Sequence, residues 1–372
     1  MKLNKGEWSE PYVALRLLGD GKLNIADENG RPKLGEWMDI LELFRKETEL
    51  RMVTYVRDSE VNVVDIDVNG ARVASLPVSE FLEAADRLAS EILNGKGSSF
   101  EASSEMKDFF LRAKMIFLKA KSIDKSDILL TVRDPRSSIT REKIGFSIKS
   151  KFGKNPTLFN TAHASGVRYK LNGCTRDDMN EINEILDAKG HVAVTARCEE
   201  ILKRGIEPEY DGYAIAQRAG CEACRENLEV INERLPQVIE RMLWNHFFEG
   251  FQPVDIPDVV EHLIVANPCG ITRPEIKYPY MVKAFIYAAY CGLTASTLWD
   301  GRSQVNGGFI AVDENGGVLA HYALESEEFK GYLYNNCYLE FPSTSKGHGD
   351  YAYIYEKNGE YYFHLNFQIR YR

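Results

Sequence analysis

Residues 125–154 read KSDILLTVRDPRSSITREKIGFSIKSKFGK. Two runs rich in β-branched and apolar residues, SDILLTV and KIGFSIKSKF, flank RDPRSSITRE, whose proline, serines and charges mark a turn-rich connection. The two runs read as paired strands. Along GFSIKSKF the side chains alternate, so Phe146, Ile148 and Ser150 take one face and Ser147, Lys149 and Lys151 take the other. Asp127, at the start of the first run, lies twenty positions before Ser147, and pairing of the strands returns it beside Lys149.

An acid and a lysine on one strand face suit metal-dependent hydrolysis of a phosphodiester. A carboxylate holds Mg²⁺, a second oxygen ligand joins it, and a lysine orients the attacking water or balances developing charge. This is the arrangement of a PD-(D/E)xK nuclease, with two departures. Lys125-Ser126-Asp127 replaces the Pro-Asp pair, which removes no chemistry. Ser147 stands where an acidic metal ligand is usual, and a hydroxyl is a poorer ligand than a carboxylate. Another acid is therefore expected to complete the site, with Glu10 on an N-terminal helix the first candidate and Asp134 the second. Taken alone, the D-x19-S-x-K pattern is not specific. Strands, hairpins and lysines recur by chance, and an Asp127 that caps a strand beside an exposed Lys149 would give the same string.

Charge is segregated along the chain. The net charge of -9 argues against indiscriminate nucleic-acid binding, which needs lysine and arginine at phosphates. Yet residues 112–176 hold fifteen Lys/Arg and four acids, a net of +11, so the rest of the chain carries -20. A basic block in an acidic body is the footprint of a local polyanion site; a merely solvated basic face is the alternative. Hydrophobic content of 44% and charged content of 27% are ordinary for a globular protein. No apolar run approaches the roughly 18 residues of a membrane helix, and MKLNKGEWSE has no apolar stretch behind its lysines, so a cytoplasmic protein is expected. Seven scattered cysteines without framework spacing fit free thiols in a reducing compartment.

Outward from the central strands, GEWSEPYVALRLLGDGK places Trp8, Tyr12, Leu15 and Leu18 at helical spacing before Gly19 and Gly21. A second helical pattern covers about 36–49. RMVTYV, VNVVDIDVNG and ARVASLPV read as strands with a hairpin turn at Asn69-Gly70, and SEFLEAADRLASEILNG as an amphipathic helix capped by Ser79. A helix over 104–118 precedes the central strands. Helical patterns dominate 177–298, and hairpins at 314–317 and Asn358-Gly359 mark a return to strands. The fold class is α+β: a mixed-sheet core flanked by helices, a helical middle and a β-rich end. The expected division is 1–176 for the N-terminal helix and nuclease core, 177–298 for a helical DNA-recognition region, and 299–372 for the C-terminal strands.

Blocks at both ends and in the centre carry a family resemblance: NKGEWSEPYVALRLLGDGKLNIADENG, KSDILLTVRDP, GFSIKSKFGKNPTLFNTA, LTASTLWDG, NGGFIAV, FPSTSKGHG and YFHLNFQIRYR. With GEWSE and GFSIKS…NPTLFN as its most specific parts, the chain resembles the HpaII family of type II restriction endonucleases over essentially its full length. The resemblance implies a PD-(D/E)xK-type fold, Mg²⁺, double-stranded DNA as substrate and cleavage of a short palindrome, CCGG for the namesake. It implies Asp127 and Lys149 as the catalytic core, Ser147 in the acid position, and Glu10 within GEWSE. The loop after the catalytic strand then faces substrate, with Lys151, Lys154, Asn155, Thr157, Asn160, His163 and Arg168 as the DNA-binding set.

Other features read as structural. Cys221 and Cys224 form a lone CxxC without a second pair at zinc spacing, and the seven histidines show no metal-binding spacing. The rival function is a DNA-binding protein that does not cut, for which Ser147 is the best support. A restriction enzyme should be encoded beside a protective DNA methyltransferase, and a palindromic site is compatible with a monomer or a homodimer.

Overall fold

The computed structural model describes residues 2–372 except 28, 49, 98, 117, 119–125, 154, 214–221, 303–306, 323–325 and 342–350, with the backbone alone at 163, 322 and 326. The chain divides into two compact units, Met1–Pro156 with Ser303–Tyr332, and Thr157–Arg302 with Leu333–Arg372. In chain order the first unit opens with β1 (Lys2–Leu3), α1 (Lys5–Asp20), β2 (Lys22–Ala26), β3 (Pro32–Thr48), β4 (Arg51–Asp58), β5 (Val63–Val68) and β6 (Ala71–Pro77). It continues with α2 (Val78–Asn94), β7 (Phe100–Glu101), α3 (Ser104–Arg112), β8 (Ile128–Arg133) and β9 (Thr140–Ser150). The second unit then follows with β10 (Thr157–Phe159), β11 (Val167–Asn172), α4 (Arg176–Asn183), α5 (Val194–Lys203), β12 (Glu207–Tyr213), α6 (Ala223–Ile231), α7 (Leu235–Phe247), α8 (Ile256–Ala266) and α9 (Pro274–Tyr290). The chain returns to the first unit for β13 (Gly308–Val312) and β14 (Val318–Tyr322). It leaves along α10 (Ser326–Asn336) and ends with β15 (Cys337–Glu340), β16 (Tyr355–Lys357), β17 (Glu360–Leu365) and β18 (Gln368–Tyr371).

Among the described residues, the first unit is built on a nine-stranded mixed sheet in the order β2-β14-β13-β9-β8-β3-β4-β5-β6, and a further β2–β3 pairing closes the first six strands on themselves. Pairings are antiparallel except β13 with β9 and β14 with β2, which are parallel. α1 starts at a capping box in which Asn4 and Glu7 exchange side-chain and backbone hydrogen bonds, and it stops at Gly21 in the left-handed region (φ 66°). Its Trp8, Tyr12 and Leu15 join Phe81 and Leu88 of α2 and Phe146 of β9 in one buried core. The helix thus covers the sheet face that Phe146 and Ile148 share.

Most local readings agree with the structure. The hairpins at Asn69-Gly70 and Asn358-Gly359 turn through two left-handed residues each, and 314–317 joins β13 to β14. Three readings are corrected. Residues 36–48 lie in β3, not in a helix, and residue 49 is outside the described residues. A register shift between Ile40 and Glu42 breaks the two-residue period and leaves Ile40 and Leu43 three apart, which imitates a helical stripe, while β8 and β4 fix the extended form from both edges. Ser79 lies inside the first turn of α2, whose N-cap is Pro77. The helix read over 104–118 ends at Arg112, after which Lys114 takes a left-handed conformation (φ 58°).

The second unit contains two antiparallel sheets, β10-β18-β15 and β12-β11-β17-β16, with helices α4 to α9. Arg197, fully buried, braces it by donating to the carbonyls of Ile185, Ala352 and Asn183. The units break the chain differently from the ranges 1–176, 177–298 and 299–372. β10 and β11 pair with β18, β12 and β17, while β13 and β14 cross back to β9 and β2, so strand pairing rather than sequence proximity sets the division.

Candidate active site

β8 and β9 pair so that Ile128 lies opposite Phe146. The preceding residue, Asp127, donates its backbone N–H to the Phe146 carbonyl at 2.9 Å and turns its carboxylate along β9. One oxygen, Oδ2, accepts from the Ser147 hydroxyl at 3.0 Å and from the Ile148 backbone N–H at 2.6 Å. Gly145 eases this approach: a Cβ there would sit 2.3 Å from Ser126 Oγ and 3.0 Å from Ser126 Cβ, so a side chain would turn Ser126 or push the start of β8 away from β9.

Lys149 follows Ser147 on the same face of β9. Burial lowers its ammonium pKa, and the charge of Asp127 opposes that shift, which places the two in electrostatic contact. Lys151, next on that face, is half-buried. Burial pulls its pKa down, and Asp313 and Glu314 push it back up. β13 lies beside the pair, with Phe309 opposite Ser147 and Ala311 opposite Lys149. Asp127 is thus hydrogen-bonded to Ser147 and lies within electrostatic reach of Lys149 on the same strand face.

The remaining candidates fall elsewhere. Asp134 is at the far end of β8, seven residues or roughly 20 Å of extended chain from Asp127. It accepts the Arg136 backbone N–H at 2.9 Å, which lowers its pKa, and it pairs with the Arg136 side chain. The structure does not bring it to this site. Glu10 is half-buried on α1, which packs against β9 over the Phe146 face, opposite to the face of Ser147 and Lys149. Asn155 is exposed in the first unit, and Lys154 lies outside the described residues.

Thr157, Asn160, His163 and Arg168 belong to the second unit. Thr157 pairs with Arg370 in β18, Asn160 is exposed beyond β10, and His163 begins a single 3₁₀ turn. Arg168 is engaged by Asp211 at 2.8 Å and lies over the Tyr362 ring. Of the CxxC pair, Cys221 is outside the described residues. Cys224 is buried, with its thiol pKa raised by burial, and the described cysteines are all free thiols. The sequence reading missed the Ile148 N–H, which no side-chain pattern encodes, and the flanking β13, which arrives from 160 residues away. Gly145 was a legible signal, being a glycine inside a strand.

Two paired strands thus present a carboxylate, a hydroxyl and a desolvated lysine together. The HpaII restriction endonuclease family profile matches residues 4–371. The chain is 30% identical over 372 residues to the type II restriction enzyme HpaII of Haemophilus parainfluenzae, covering 99% of this chain and 98% of that protein. It belongs to the HpaII family of type II restriction endonucleases and is a site-specific deoxyribonuclease. No solved structure matches it at significance.

Proposed function

We propose that Asp127, Ser147 and Lys149 form the cleavage site of a Mg²⁺-dependent restriction endonuclease with a PD-(D/E)xK-type core, acting at a short palindrome in double-stranded DNA. The observation that carries this reading is the carboxylate of Asp127 held on β9 between Ser147 and Ile148, with Lys149 beside it. The assignment of CCGG, cut after the first cytosine, rests on the family resemblance alone.

The donor set fits a hard cation that keeps most of its own water. Mg²⁺ is commonly held by one or two carboxylates together with substrate phosphate, and no dedicated cage is needed. That agrees with the absence, among the described residues, of any cluster of three metal-ligating side chains. Asp127 would hold the ion through the oxygen that Ser147 and Ile148 leave available, and Glu10 is the proposed second carboxylate. When bound, the ion supplies Lewis-acid stabilisation of charge developing on the phosphate. Ser147 fixes the rotamer of Asp127. Lys149, on the same face, is placed to orient the attacking water and to balance the negative charge that develops as the bond breaks. Lys151, Lys154, Asn155, Thr157, Asn160, His163 and Arg168 are the proposed DNA contacts; for Arg168 this requires exchange of its partner Asp211.

The proposal places the enzyme in the cytoplasm beside a methyltransferase gene that protects host DNA, and as a monomer or homodimer. Among the described residues no helix is long and apolar enough to cross a membrane. Incubating the protein with plasmid in Mg²⁺, with and without EDTA, and sequencing the ends tests the reading. Discrete fragments with uniform ends, abolished by EDTA, support it; binding without cleavage would establish the non-cutting alternative.

A further inference from the structure

The second unit contains a cavity of about 430 Å³ where the segment before α7, the 269–272 turn and α9 meet. Its lining includes Arg234, Lys277, Thr272, Gly270, Tyr280 and Met281, and no carboxylate. Arg176, Arg204, Arg225, Arg241, Arg370 and Arg372 of the same unit all pair with acids. Arg234 and Lys277 instead meet neutral oxygens, Gln237 Oε1 at 3.3 Å and Thr272 Oγ1 at 2.8 Å. Neither is in an ion pair among the described residues. Both are exposed at the cavity mouth, and Tyr280, 67% exposed, offers its ring there.

Two cations left without counter-charge in an acidic chain attract an anion, and the cavity is too large for phosphate alone. An aromatic ring beside such a charge suits a planar base joined to a phosphate. We infer that this cavity is a DNA-backbone site: Arg234 and Lys277 take a phosphodiester, and Tyr280 with Met281 receives the adjoining nucleotide. The inference rests on the restriction-endonuclease reading and adds contacts outside the basic 112–176 block.

The test is fluorescence anisotropy of a labelled duplex carrying the recognition site, in Ca²⁺ to prevent cutting, across a KCl series. An Arg234→Ala/Lys277→Ala protein is expected to bind at least tenfold more weakly at low salt, with the log–log salt slope reduced by about one to two. Tyr280→Ala is expected to weaken binding about tenfold with the slope unchanged, as stacking carries no counterion release. Lys203→Ala, an exposed lysine already paired with Glu200, is the control for net charge and is expected to bind like wild type. All four positions are exposed, so thermal transitions should match wild type. Wild-type affinity and slope in the double variant would overturn the inference and leave the nuclease reading intact, and so would a loss no larger than that of Lys203→Ala. Failure of the wild-type protein to bind or cut any duplex would instead bring down the nuclease reading, and this site with it.

Discussion

Asp127→Asn separates charge from shape at the centre of the site. An asparagine oxygen can still accept from Ser147 Oγ and the Ile148 N–H, now at 3.0 and 2.6 Å, so the strand geometry should persist. Two charge-assisted hydrogen bonds become neutral ones. The difference is about 1 kcal/mol for each, and relief of the carboxylate's own desolvation offsets part of it, so the stability change should stay within about 2 kcal/mol. Lys149 loses the charge of Asp127, which opposes the effect of burial, so its pKa should fall further. The effect on cleavage is of another order. Loss of a metal-holding carboxylate removes several kcal/mol of stabilisation from the transition state, and about 4 kcal/mol corresponds to roughly a thousandfold in rate. Single-turnover digestion in saturating Mg²⁺ gives the rate, and thermal melting gives the stability. Cleavage within tenfold of wild type in a folded Asp127→Asn protein would refute the assignment of Asp127 as metal-holding.

Other expectations follow from the same geometry. Ser147→Ala leaves Asp127 with one of its two anchors and should raise the Mg²⁺ concentration for half-maximal cleavage about 10–100-fold, the usual effect of losing a group that orients a ligand; an unchanged Mg²⁺ requirement would exclude the role. Glu10→Gln should raise the Mg²⁺ requirement at least about tenfold if this carboxylate reaches the ion, whereas Asp134→Asn, remote from the site, should cut within about twofold of wild type. In the second unit, burial raises the pKa of Glu240 to about 7, although Arg241 and the Tyr169 hydroxyl, donating at 3.2 Å, favour the charged form. The folded state then holds a proton that the unfolded state releases first, so stability falls as pH rises from about 4.5 to about 7. Glu240→Gln should therefore melt near wild type at pH 4 and above it at pH 8, and a gain at pH 4 alone would contradict that sign.

The strands of the proposed site were legible because their signal is local. Alternation along GFSIKSKF assigns Ser147 and Lys149 to one face whatever the rest of the chain does, and strand pairing returns Asp127 to them. β3 was not legible, because its bulge at Ile40–Glu42 disguises an extended chain paired on both edges as a helical stripe. The two units were hidden for a related reason: nothing within NGGFIAV tells that β13 lies parallel to β9, a contact made across 160 residues. Asp134 failed because proximity in sequence is distance along a strand. Seven further residues carry it past the opposite end of β8, into the turn with Arg136.

Lys149 is proposed to act on the reaction and not on DNA binding. The most direct measurement compares Lys149→Ala with wild type in two arms: affinity for a cognate duplex in Ca²⁺, and single-turnover cleavage in Mg²⁺. One phosphate contact at most is lost among many basic residues, so binding should weaken by less than about tenfold and the salt slope by no more than about one. The cleavage rate should fall by about two or more orders of magnitude, because a group serving the transition state is gone. Near-native cutting by Lys149→Ala would exclude Lys149 from the chemistry and transfer the role to Lys151, the next lysine on the same face of the strand.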